Sequence, residues 1–380
     1  MRSRRPAACR LHPAPAAVLL VTALLLAPWR TPPRPPAPTG QTPPLTAIDM
    51  VNGASGWGAG HGSVYRTTDE GEVWSSVGPP AAGPGAAEAP IGAAFLGAQD
   101  AWVVAVEAGS AVVNRTADAG ATWAETSLDV GTAGAATAGF VDFADAQHGW
   151  IWLSEGLAMD GEGGQLLATA DGGAHWSVVA AATADNPPGA IPFSGFKTGL
   201  AFQDASDGWL TLDAPLLAPG VVWVDATTDG GASWTQESLP PPAQGGSAFT
   251  AAARAPLFFP PAALLAVRLD QGGAGRTVVY SSRDGGRNWQ AGQPVGSGAL
   301  TLSFPSAAHG FGTDGVDMFV TADGGATWRS FVPAAGPQGL HGVTQLDFVS
   351  AADGFAIAPR DAATAILSTT DGGHHWETLR

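Results

Sequence analysis

Cysteine is nearly missing from this chain of 380 residues. Cys9 stands alone, which excludes a disulfide within the chain and any site built on paired cysteines. His-Glu-x-x-His, an EF-hand loop, a Gly-x-Ser-x-Gly elbow and a phosphate-binding loop are missing too, so the sequence points to no metal, no cofactor and no catalytic residue. Long apolar runs are also lacking: the stretch from Ala16 to Ala27 is too short to span a bilayer comfortably. Acidic residues are absent before Asp49, whereas Arg2, Arg4, Arg5, Arg10, Arg30 and Arg34 all fall there. Arginines ahead of a short apolar run read as an export signal over 1–27 or, if uncleaved, an N-terminal anchor. Prolines crowd the next segment and make 28–44 a stiff, extended linker. Export to the cell envelope or the exterior is therefore expected. Beyond residue 44 the chain holds 11 basic residues against 33 acidic ones, a net charge of −22. Such a surface repels phosphate backbones and anionic lipid, which argues against nucleic acid as a partner.

What the sequence does contain is a repeat. Seven times it spells Ser or Thr, any residue, Asp, any residue, Gly, any two residues, Trp. The aspartates are Asp69, Asp118, Asp171, Asp229, Asp284, Asp323 and Asp371, and the tryptophans are Trp74, Trp123, Trp176, Trp234, Trp289, Trp328 and Trp376. A spacing of roughly 40 to 60 residues is that of radially repeated β-sheet units. Each box follows a β-prone run and its Trp opens another, so the box reads as a hairpin turn. Asp accepts backbone N–H groups, Gly supplies a positive φ, and Trp anchors the next strand. His374 and His375 fill two variable turn positions of the last box.

A second signature precedes most boxes: an apolar strand, a turn, then a Gly-aromatic pair. Examples are Val141-Asp142-Phe143 before His148-Gly149-Trp150, and Leu346-Asp347-Phe348 before Asp353-Gly354-Phe355. Blade five lacks the pair and has Phe258-Phe259-Pro260-Pro261 instead. Each unit thus holds four strands, and the predicted fold is all-β: a seven-bladed β-propeller of four-stranded antiparallel blades over 45–380, each with its box between the third and fourth strands.

The boxes resemble the BNR/Asp-box repeat of sialidases, sortilin-type receptors and some β-glucan hydrolases. The compound pattern is most similar to the photosystem II stability/assembly factor-like propellers of bacteria and plastids. That resemblance implies a non-enzymatic propeller that assists assembly of a photosynthetic membrane complex by binding a protein. In the plastid and cyanobacterial members it implies an arginine patch, whereas here ten arginines and Lys197 are spread through an acidic propeller. A sialidase would need a Tyr-Glu nucleophile pair, but Tyr65 and Tyr280 both sit in strands entering a box, and blade one has no Arg-Ile-Pro.

Topology limits where a site can lie. Turns between strands one and two, and the boxes, share one face; the remaining loops share the other. The longer insertions, Gly156 to Gly163, Ala180 to Lys197, Asp213 to Gly220, Pro240 to Pro256 and Asp270 to Gly275, belong to that second face around blades three to five. Phe193, Phe196, Lys197, Leu216 and Leu217 are its candidate binding residues, with Glu155, Asp160 and Glu162 at the rim. Asp49, Asp142 and Asp347 recur in first strands, where they either satisfy backbone donors between blades or form an acidic cluster near the central channel. The expected function is binding of a protein or peptide by an exported, monomeric, non-enzymatic propeller. The alternative is an extracellular carbohydrate-active enzyme or a glycan-binding lectin, because two carboxylates suffice for glycoside hydrolysis.

Overall fold

The computed structural model describes residues 43–60, 63–79, 91–107, 110–128, 138–158, 161–214, 219–242, 249–334, 339–360 and 363–379. The expected signal, nearly all of the linker, Asp160, Leu216 and Leu217 lie outside the described residues. Those described form strands and turns, with no helix among them. The strands pair antiparallel through seven blades, four to a blade and in chain order except in blade five. Blade one, for example, is Ala47–Met50, Gly56–Gly60, Ser63–Thr67 and Ser75–Gly78. First strands pack against first strands of neighbouring blades, which places them innermost around the ring axis.

Every blade repeats one turn chemistry. In blade four Thr227 Oγ1 donates to Asp229 Oδ1 at 2.9 Å, Gly231 N donates to Thr227 Oγ1 at 3.0 Å, and Ser233 N donates to Asp229 Oδ1 at 2.8 Å. Gly230 and Gly231 carry φ of 73° and 94°, where a side chain would be strained. One further bond ties each box to the turn between strands one and two: Glu70 N to Ala54 O, Gly172 N to Gln147 O, Gly230 N to Ser206 O, and equivalents in the other four blades. Boxes and first turns therefore share a face.

Packing between blades repeats as well. The Phe ending a first strand stacks on the second-strand aromatic of the preceding blade: Phe143 on Trp102 at 3.7 Å, Phe202 on Trp150 at 3.6 Å and Phe348 on Phe311 at 3.7 Å between ring centroids. The same rings meet their own box Trp edge-on, as Phe202 does Trp234. The glycine of the Gly-aromatic pair makes room for that Phe. A Cβ built on Gly149 or Gly208 would lie 2.3 Å from the Phe143 or Phe202 ring.

Blade five departs from four strands. Its first strand is split into Thr250–Ala253 and Leu257–Phe259, both paired with Ala262–Gln271. Pro256 lies in the gap, where a residue without an N–H cannot sustain a ladder. One pairing, Asp213 with Ala252, joins blades four and five into a single nine-stranded sheet.

Candidate functional site

Of the residues read as a binding face, two of the five described ones are buried. Lys197 is buried, with its ammonium 3.1 Å from Asp225 Oδ2, and both side chains are fully enclosed. Its Nζ also donates to the carbonyls of Pro192 and Ser194, and its backbone N–H donates to Glu162 Oε2 at 2.6 Å. Glu162 is likewise buried and accepts from the Trp152 indole. The expected exposure of Lys197 and Glu162 is therefore corrected: the Lys197 ammonium is satisfied by Asp225 and two carbonyls, and Glu162 by a backbone N–H and an indole, so both stay inside the molecule and away from any rim. Burial pushes Asp225 up to about 6 despite the opposing pull of Lys197. Phe193 and Phe196 are half-buried, and Phe193 covers Gly161. Glu155 alone of the described rim residues is exposed, accepting from Gln165.

The insertion carrying these residues is a wedge between blades three and four. From the fourth strand of blade three, Ser177–Ala182, it runs to the blade-four box, where Trp234 N donates to Gly189 O at 3.1 Å. Ile191 is fully buried in the core shared by these blades. The loop is thus exposed over residues 183–189, while Ile191 and the backbone bond to Gly189 O hold its second half to the seam.

Two of the recurrent aspartates, Asp142 and Asp347, act between blades. Met50 N donates to Asp347 Oδ2 at 2.6 Å and Phe202 N to Asp142 Oδ2 at 2.7 Å, each bond reaching from one first strand to the next. Ser303 does the same for Phe348 N. Burial raises Asp142 to about 6 and, with a contribution from the neighbouring Asp49 charge, Asp347 to about 7. Asp49 is also raised by burial, although it keeps an open path to solvent.

A groove of about 730 Å³ lies elsewhere, on the box face between blades six and seven. Phe311 and Val320 line it, together with Phe331, whose ring stacks on His374 at 4.1 Å. Asp323 and Asp371, from adjacent boxes, and Arg329 complete it. Hydrogen bonds from the His375 side chain and backbone hold Asp371 down to about 2. Burial pushes Asp323 up, but bonds from Thr327 and Thr321 outweigh it and leave it lowered. The groove is open because the outermost strands here are short: Arg329–Phe331 in blade six and Glu377–Thr378 in blade seven. Sequence reasoning missed it. Its only signal was Phe331 and His374, each a few residues from a box Trp and without periodic counterparts in other blades. Among the described residues no group of three or more His, Cys, Asp or Glu is placed to hold a metal.

No protein-family model matches the chain, and no curated protein does. Solved structures do resemble it. YCF48 bound to a D1 peptide is 16% identical, with a TM-score of 0.53 over 87% of this chain and 93% of that one. An oligogalacturonate lyase in complex with manganese is 11% identical, with a TM-score of 0.53 over 85% and 87%. A polysaccharide lyase of family PL25, an ulvan lyase, is 11% identical, with a TM-score of 0.50 over 76% and 84%. At these identities the likeness establishes the fold, and the chain is a β-propeller.

Proposed function

We propose that this chain is an exported, non-enzymatic β-propeller that binds a peptide segment of a protein partner in the groove between blades six and seven. One observation carries the reading. The groove is floored by apolar and aromatic side chains, while both of its carboxylates are held ionised by their own turns. Glycoside hydrolysis needs a carboxylic acid that keeps its proton near neutral pH, and the groove's lowered aspartates are the opposite. An apolar floor with polar groups at its edge suits an extended segment. The resemblance to photosystem II assembly-factor-like propellers agrees in kind, since YCF48 is seen with a peptide. A monomer in the cell envelope, assisting assembly of a membrane complex, is the setting that resemblance suggests.

A second reading has one observation in its favour. Asp347, raised to about 7 beside Asp49, is a protonatable carboxyl with a carboxylate near it on the inner strands. Its Oδ2 is committed to Met50 N, which favours the structural role. Peptide and glycan arrays probed with the purified protein, alongside polysaccharide hydrolysis assays, separate the two. Peptide binding lost in Phe331→Ala/His374→Ala, with no turnover, is the expected result. Turnover abolished by Asp347→Asn would replace this reading with the enzymatic one.

A further inference from the structure

We infer that the groove between blades six and seven takes an extended, cationic peptide segment carrying an apolar anchor residue; this rests on the peptide-binding reading above. The anchor follows from the floor. Phe311, Val320 and the stacked Phe331–His374 pair offer a site that an aromatic or branched side chain fills, with release of water from apolar surface. The cationic flanks follow from charge. Asp323 and Asp371 keep their charge because hydroxyl, imidazole and amide donors stabilise the ionised form, and each comes from the box of one of the two blades that flank the groove. Among the described residues Arg329 is the only guanidinium lining it. Around this rim lies a propeller of net charge −22, whose field attracts a basic segment and repels an acidic one before contact. The groove also ends at the outer edge of the ring, beside strands of two and three residues, so a chain can enter without threading.

Calorimetric titration of the full chain with two end-blocked peptides tests this. In one, lysines alternate with phenylalanine and leucine; in the other, glutamates replace the lysines. The basic peptide is expected to bind at least roughly tenfold tighter, and to weaken as salt is added. Phe331→Ala/His374→Ala should weaken it at least roughly tenfold, with melting curves confirming the fold. Arg329→Glu should tighten the basic peptide and loosen the acidic one, a sign that a purely structural arginine would not produce. Glu155→Lys, in the distant hairpin of blade three, should change either affinity only slightly. Equal or tighter binding of the acidic peptide overturns the inference, as does indifference to the groove variants. If array peptides bind through Phe331 and His374 without charge preference, the cationic assignment fails and the peptide-binding reading stands. If only glycans bind, both fall.

Discussion

At the scale of single residues, the glycine of each Gly-aromatic pair is a contact position. In blade four the Phe202 ring sits between the Gly208 backbone and Trp150, so a methyl on Gly208 must displace a ring stacked at 3.6 Å. Blade two shows the displaced arrangement, for Ala101 stands where the glycine would be and Phe95 lies 5.3 Å from Trp57. Gly208→Ala is therefore expected to cost about 1 to 3 kcal/mol from overpacking, measured by urea denaturation. A crystal structure of Ala101→Gly should show Phe95 closing on Trp57. The box tryptophan fills space in the same layer: Trp234 is buried against Phe202 and donates to Gly231 O at 2.8 Å. Its replacement by Ala should cost about 3 to 5 kcal/mol. Asp171→Ala should cost less, because that carboxylate is exposed and its donors can turn to water. This layer was legible in the sequence because local turn chemistry and the Gly-aromatic spacing recur seven-fold or nearly so. The reason for the glycine was not, since the ring it accommodates stacks on a residue of the preceding blade, distant in sequence.

At the scale of elements, the segment between blades three and four is a structural insert held by a buried ion pair. Lys197 bridges Asp225, Pro192 and Ser194, while Gln236 Nε2 donates to Asp225 Oδ1 at 3.1 Å. Removing one partner strands a charge where water cannot reach it. Lys197→Met should therefore cost about 3 to 5 kcal/mol, and Lys197→Met/Asp225→Leu should recover most of that loss. A double variant as unstable as the single one would show that the insert depends on something else. This pair was not legible, because its members are joined by no spacing rule and a lysine between apolar residues in a long insertion reads as exposed. The chain's single lysine was the available signal. Blade five's split strand was partly legible: the lost Gly-aromatic pair marked the blade as irregular, and Pro256 supplies the break.

At the scale of the whole molecule, two sets of aspartates respond to pH in opposite directions. Asp347 and Asp142 have folded values raised to about 7 and about 6 by burial, so the stability they contribute is complete below the ordinary carboxylate value of 3.8 and is lost as pH rises through 6 to 7. Box aspartates such as Asp284 and Asp371, lowered to about 2 by hydrogen bonds, contribute stability above 3.8 that is lost as pH falls towards 2. The melting temperature should accordingly peak in mildly acidic solution, and Asp347→Asn should flatten the decline towards neutral pH; an unchanged decline would contradict the assignment. The blade count was legible from the boxes, but the way the ring closes was not. Among the described residues no strand is shared across the join of blades seven and one. Instead Ile48 N donates to Gln345 Oε1 at 2.9 Å, Gln345 Nε2 donates to Ile48 O at 2.7 Å, and Asp347 takes Met50 N. The ring is thus a clasp of side chains rather than a weave of backbone. Pulled by its two ends, such a molecule should bear the load first at this join, on Gln345, Asp347, the bond from Thr364 to Leu45 O and the apolar contacts of Leu45, Ile48 and Met50 with Phe355, Ile357 and Ile366, and it should open there as a single early rupture before any blade unravels. Gln345→Leu should lower the force of that first event while leaving the later ones unchanged.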